Sequence, residues 1–199
     1  MSEIQNKLQL EKNIRKSRVG VWFKNILRPS LEGNKNSCIN FEIGCGHGHW
    51  LTSYAEENPS QNFVGIDLIT KRIEKASSKV VKRKLSNVCF CKADANEFLE
   101  FCDINLSNTF IMYPDPWPKK RHFKRRLIQL PFLDRLAQKT QSGGKLYFMT
   151  DHVDYFDWSC SMISESIHWN FTEEKWPHQE RSYFQNILPT NKFFCALRS

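Results

Sequence analysis

No apolar run in this 199-residue chain approaches the roughly 20 residues needed to cross a bilayer, so no membrane-spanning helix is expected. The first residues, MSEIQNKLQLEKN, hold no apolar core, and no secretory signal is predicted. Internal repeats and low-complexity tracts are missing, which excludes a collagen-like or coiled-coil rod. The seven cysteines include no CxxC pair and are odd in number. They read as reduced core residues of a cytoplasmic protein. A metal site built on Cys45, His47 and His49 would lack a second ligand cluster, so no metal is expected. What remains is 40% hydrophobic and 25% charged, the composition of one globular domain with a short extension.

Acidic charge is the minority sign. The net charge is +8, and it is concentrated. Residues 1–37 carry +5, residues 71–84 carry +6 and residues 119–126 carry +6, against −9 for the remainder. Such a chain can present a basic face to a polyanion. The 71–84 cluster equally fits a solvated helix face.

The chain divides into a basic N-terminal arm, residues 1–37, and a domain over residues 38–199. The arm has an amphipathic patch at Val19, Trp22, Phe23, Ile26 and Leu27, which predicts one short helix before a linker at Arg28-Pro29 and residues 32–36. The domain alternates strand and helix patterns. Strands are predicted over Cys38–Ile43, Asn62–Asp67, Val88–Lys92, Thr109–Tyr113, Lys145–Thr150 and Lys192–Leu197. Between them, helix patterns place Trp50, Leu51, Tyr54 and Ala55 on one face, start a helix at an N-cap Thr70 and run a short one over Ala95–Phe101. Another begins at Pro131 and ends at Ser142-Gly143-Gly144, and the last runs around Tyr155–Ile167. This order predicts an α/β fold with a mostly parallel sheet and helices on both faces.

Gly44-Cys45-Gly46-His47-Gly48 joins the first strand to the first helix of the domain. It is a GxGxG turn without a following Lys-Ser/Thr, and lets a ligand approach the backbone closely. Asp67 ends the second strand 23 residues after Gly44, where an acid can take the two ribose hydroxyls of an adenosine. Asp94 follows the third strand and can accept the exocyclic amine of adenine. Glu42 precedes the loop and can face a cationic ligand end. Each acid also fits a helix N-cap or strand-end role by itself; together they point to an adenosine cofactor. After the fourth strand, Tyr113-Pro114-Asp115-Pro116-Trp117-Pro118-Lys119-Lys120-Arg121-His122 holds one carboxylate between two prolines, then a stacking surface and a basic run. A rigid proline turn with a solvated basic tail is the plainer reading of the same stretch.

The glycine loop, Asp67 and Asp94 resemble class I S-adenosylmethionine-dependent methyltransferases. The PDPWPKKRH segment, with Lys124-Arg125-Arg126 after it, resembles the tRNA (guanine-N7-)-methyltransferase family. Thr150-Asp151 with Tyr155 looks like that family's TD motif, and Glu180-Arg181-Ser182-Tyr183-Phe184-Gln185 stands where a Thr-x-Phe/Tyr-Glu motif is usual. Here Ser182 keeps the hydroxyl, whereas Gln185 replaces a carboxylate by an amide with one acceptor oxygen. The resemblance covers roughly residues 38–199. It implies a Rossmann-like class I methyltransferase fold, a seven-stranded sheet whose last hairpin is antiparallel to the rest. It implies S-adenosyl-L-methionine held by Glu42, Gly44, Gly46, Gly48, Asp67, Asp94 and Asp115, with Asp115 as the catalytic acid. It implies substrate contacts by Lys119, Asp151, Ser182 and Gln185, and tRNA as partner, methylated at N7 of a variable-loop guanine. Lys120, Arg121, Lys124, Arg125 and Arg126 would hold the RNA backbone, and the enzyme would act in the cytoplasm as a monomer or homodimer. Two other readings stand beside it: an amino-group N-methyltransferase, because PDPW echoes Asp-Pro-Pro-Tyr segments, and a tRNA-binding protein with an inactive cofactor pocket.

Overall fold

Ile39–Ile43 is buried at every position, as a strand covered on both faces must be. This is β1, and a computed structural model, describing residues 3–31, 38–178 and 191–199, places it inside a sheet of seven strands. The others are β2 (Asn62–Asp67), β3 (Val88–Lys92), β4 (Leu106–Met112), β5 (Thr140–Thr150), β6 (Trp169–Thr172) and β7 (Lys192–Arg198). Their order is β3-β2-β1-β4-β5-β7-β6. The chain works outward from β1 through β2 to β3, then returns to β4 on the other side of β1. That reversal opens a crevice at the carboxyl ends of β1 and β4, the place where open α/β sheets bind ligands.

Helices cover both faces. On one, Val19 of α1 (Glu3–Trp22), Phe98 and Leu99 of α5 (Ala95–Phe101), Phe132 and Leu136 of α6 (Leu130–Lys139) and Tyr155 of α7 (Val153–Glu165) pack with Phe41 and Phe148. On the other, Trp50, Leu51 and Tyr54 of α3 (His49–Glu57) and Ala76 of α4 (Thr70–Arg83) pack with Phe63, Phe90 and Phe110. Beyond α3 this second face is closed by the segment after β6. Trp176 lies 6.1 Å from Trp50, and the buried His178 stacks on Tyr54 at 5.1 Å.

Several local expectations are corrected. β6, which starts at the buried Trp169, is the strand the sequence pattern does not show, because four residues with two exposed positions carry no clear alternation. Only β7 runs against the sheet: it is antiparallel to both β5 and β6, so β6 points the same way as β5, and the last hairpin is not antiparallel as a unit. Ile69, not Thr70, holds the cap position of α4, and the Thr70 hydroxyl accepts from Lys92 Nζ at 2.7 Å instead. Helix α6 stops at Lys139; Thr140 already pairs with Leu106, and residues 141–144 bulge out before Lys145 resumes the ladder opposite Asn108.

The arm differs most. Helix α1 spans 20 residues and runs on through a π-helical turn, Phe23–Leu27, into α2 (Arg28–Leu31), so Pro29 lies inside helical structure. Pro29 directly follows the widened π-helical turn, whose Arg28 N–H donates to the Phe23 carbonyl; prolines and π turns are the places where a continuous helix bends. Val19 and Leu27 are fully buried and Trp22 meets Phe98 at 5.8 Å, while Ile26 stays exposed. Part of the arm's basic charge is used internally: Arg15 pairs with Glu97 at 2.6 Å and Lys12 with Glu100 at 3.1 Å.

Candidate active site

The glycine turn forms because the backbone must reverse between β1 and α3. Gly44 and Cys45 donate to the Ile66 carbonyl at 2.9 Å each, tying the turn to β2. Gly44 and Gly46 adopt φ of 77° and 54°, and a Cβ on either would meet no heavy atom within 4 Å. They border open space. Gly48 is different: at φ 67° a Cβ would lie 2.7 Å from the Phe90 ring and 2.8 Å from Ala76. Gly48→Ala therefore combines left-handed strain with overpacking, and it is expected to destabilise the fold by about 2–4 kcal/mol. Urea unfolding measures this; a loss below about 0.5 kcal/mol would show that the turn adapts.

Asp67 and Asp94 line the cleft beside that turn, and Glu42 is buried behind it, one residue before Ile43 and outside the cleft lining. Glu42 is 3% exposed, and its Oε2 is buried with no hydrogen-bond partner among the described residues. Burial, reinforced by the negative charge of Asp67, pushes its carboxyl up to about 8. Asp67 accepts from Gly46 N at 3.1 Å and Ile69 N at 2.8 Å, with Arg72 3.3 Å away. Arg72 is half exposed, so this pair is screened and weak. Asp94 caps α5, and Oδ1 alone accepts from Asn96 N at 2.9 Å and Glu97 N at 3.2 Å. The helix-cap reading of Asp94 is thus correct, and it leaves the carboxylate on the rim of the same cleft.

That cleft, about 530 Å³, runs from Gly44 past Asp67 and Asp94 to Asp115. Asp115 is exposed and lines it with Tyr113, Pro114, Trp117 and Arg125. Tyr113 and Trp117 flank the acid at φ of 50° and 45°, a conformation non-glycine residues avoid. The Tyr113 N–H donates to the Met149 carbonyl at 2.8 Å and its hydroxyl donates to Asn191 Oδ1. Burial first, and then the charge of Asp151, pushes the Tyr113 hydroxyl up to about 12. The PDPW and TD segments, far apart in sequence, therefore meet.

Lys119 precedes a 3₁₀ turn, Lys120–Arg125, in which Lys120, Arg121, Lys124 and Arg125 are exposed. Arg125 lies over the Trp117 ring at 4.9 Å. Arg126 is corrected: it is 2% exposed, stacked against Phe123 at 3.7 Å, and cannot reach a phosphate. Ser182 and Gln185 lie outside the described residues. Sequence reasoning missed Arg72 and the interior place of Arg126. The i, i+5 spacing of Asp67 and Arg72 could have suggested the first; for the second, Phe123 lies three residues away, but the other rings that enclose Arg126, Tyr155 and Trp158, come from α7 and leave no local mark.

Known proteins match this arrangement. The family model Methyltransf_4, described as "Putative methyltransferase", matches residues 36–192. A tRNA (guanine-N(7)-)-methyltransferase of Prochlorococcus marinus (strain MIT 9215) is 31% identical over 172 residues, covering 82% of each chain. One from Streptococcus mutans is 33% identical, covering 76% of this chain and 72% of its own. One from Syntrophotalea carbinolica is 39% identical, over 62% of this chain and 53% of its own. Among solved structures, an aminoglycoside resistance methyltransferase aligns with a TM-score of 0.62 at 15% identity, covering 87% of this chain and 92% of that one. An antibiotic-related methyltransferase aligns at 0.60 and 19% identity, covering 88% and 93%. These two similarities concern the fold. With this sheet, this cleft and these relatives, the chain belongs to the tRNA (guanine-N7-)-methyltransferase family.

Proposed function

We propose that the protein transfers a methyl group from S-adenosyl-L-methionine to N7 of a guanine in tRNA, in the variable loop. The observation that carries the reading is one cleft that joins the open glycine turn, Asp67, Asp94 and Asp115, with an exposed basic turn beside it. The residues fit the cofactor. Gly44 and Gly46 leave room for close backbone approach, Asp67 and Asp94 offer acceptors for ribose and adenine, and the unpartnered Glu42 oxygen can meet an ammonium. When bound, S-adenosylmethionine supplies an electrophilic methyl group on a sulfonium.

Guanine N7 carries a lone pair and no proton, so the chain needs no general base. What its residues contribute is positioning and electrostatics. Asp115 orients the base and stabilises the positive charge that the ring gains. Asp151 and Lys119 contact the tRNA substrate, and Ser182 and Gln185 complete the binding of the guanine. Lys120, Arg121, Lys124 and Arg125 hold the tRNA backbone. In this reading residues 1–37 are an arm docked on the catalytic domain, residues 38–199, and the enzyme works in the cytoplasm as a monomer or homodimer.

Incubation with labelled S-adenosylmethionine and unmodified tRNA, followed by aniline cleavage, tests the reading. Label at one guanine with cleavage there supports it; label on an exocyclic amine, or none, rejects it. Four phosphate contacts predict a roughly 10²-fold loss of tRNA affinity between about 50 and 200 mM salt. Lys120→Ala with Lys124→Ala should make that slope shallower by about two. A salt-independent affinity would remove the basic turn from the interface.

A further inference from the structure

Arg126 is a buried cation with no carboxylate within 4 Å among the described residues. Its guanidinium carbon lies 3.7 Å from the Phe123 ring centre, 5.0 Å from Tyr155 and 5.4 Å from Trp158. Nε donates to the Pro116 carbonyl at 2.9 Å, and Nη1 donates to the Asp154 carbonyl at 3.3 Å. Nη2 is buried without a hydrogen-bond partner among the described residues. A buried guanidinium held by rings and carbonyls, which the Asp154 carboxylate reaches only through its charge and not by an ion pair, is costly, and a well-packed apolar side chain would suit the site at least as well for stability. What an apolar side chain could not do is hold two carbonyls from different elements at once.

Those carbonyls say what is being joined. Pro116 follows Asp115 directly, and Asp154 lies in the first turn of α7. The same seam is sewn twice more: the Tyr155 hydroxyl accepts from Leu127 N at 3.0 Å and Ile128 N at 3.3 Å, and Trp158 Nε1 donates to the Ile128 carbonyl at 2.9 Å. On the other side, Tyr113 and Trp117 hold left-handed backbone that relaxes unless it is restrained, at about 1–3 kcal/mol each. We infer that Arg126 is a positioning residue: it locks the Pro114–Trp117 loop to α7 and thereby sets where the Asp115 carboxylate stands. The inference rests on the methyl-transfer reading above for its effect on rate, but not for its effect on the loop.

Arg126→Met keeps the apolar stem volume and removes the fork. Expected are a kcat lower by about 10- to 100-fold, and a KM for tRNA and a cofactor affinity within about threefold of the parent. Amide hydrogen exchange over residues 113–118 should become faster, while β1 and α3 exchange as before. Should the Met variant not fold, Arg126→Lys carries the same test, since a single ammonium retains the charge but not the bidentate geometry. An unchanged kcat, or a loop that exchanges as in the parent, overturns the inference. So does a raised KM at constant kcat with a shallower salt slope, which would make Arg126 a phosphate contact. A parent protein that leaves guanine N7 unmethylated rejects the functional reading instead, and the exchange comparison then decides the role of Arg126 by itself.

Discussion

Asp115→Asn should lower kcat for methyl transfer by about 10²- to 10³-fold, the size expected when a charge aimed at a developing opposite charge is removed. The substitution keeps the shape and one acceptor oxygen, so guanine can still be oriented; only the field is lost. Asp115 is exposed, and its replacement should change folding stability by no more than about 0.5 kcal/mol. Cofactor affinity by calorimetry should stay within about threefold, because Glu42, Asp67 and Asp94 are untouched and Asn keeps an acceptor oxygen at position 115. The split between turnover and binding is the diagnostic part. A variant that methylates tRNA at the parent rate would show that the carboxylate does nothing in the reaction.

Glu42 gives the second large effect, and it has opposite signs for stability and for binding. In the unfolded chain its carboxyl ionises near 4.5, and in the folded one near 8. Between those values the folded state holds the proton that the unfolded state has lost. Stability therefore falls as pH rises through the window, by up to about 1.4 kcal/mol per pH unit, and levels off above about 8. Glu42→Gln should remove this slope and be the more stable protein at pH 8 by a few kcal/mol. Binding runs the other way. A ligand ammonium favours the carboxylate, so affinity for S-adenosylmethionine should rise with pH up to about 8, then fall as the ligand α-amino group, with a pKa of about 7.7–8.0, loses its own proton. Calorimetry at pH 7 in buffers of different ionisation heat should register about one proton released by the parent and none by Glu42→Gln. Equal proton release by both proteins would place the ammonium elsewhere.

How far the sequence reaches depends on whether the signal is local. The GxGxG turn is readable because each glycine answers a local demand, left-handed backbone at Gly44, Gly46 and Gly48; that Gly48 also has no room for a Cβ is decided by Phe90 and Ala76, which the fold brings to it. Asp67 and Asp94 are readable because they end β2 and follow β3, so chain position alone brings them to one edge of a parallel sheet. Six of the seven strands follow from alternating periodicities; β6 has four residues, too few to show one, and the count of seven rests on the resemblance to known methyltransferases. The sequence makes the N-terminal helix look short because the apolar patch covers only Val19 to Leu27 and Arg28-Pro29 looks like a linker. Packing of Val19, Trp22 and Leu27 against the core outweighs the cost of about 1 kcal/mol for Gly20 inside that helix.

The basic segments show the limit. By itself the sequence determined that charge gathers at residues 119–126 beside a proline-framed acid, and composition cannot say which of those six cations faces water. Tertiary structure decided it. Arg125 stays outside over Trp117, while Arg126, one residue on, turns inward among Phe123, Tyr155 and Trp158. The raised carboxyl of Glu42 is likewise a property of the fold, since only burial beside Asp67 makes ionisation costly there. Residue type and spacing depend on near neighbours in the chain. Burial and field depend on atoms brought together from β2, α7 and the PDPW loop, and those exist only once the chain has folded.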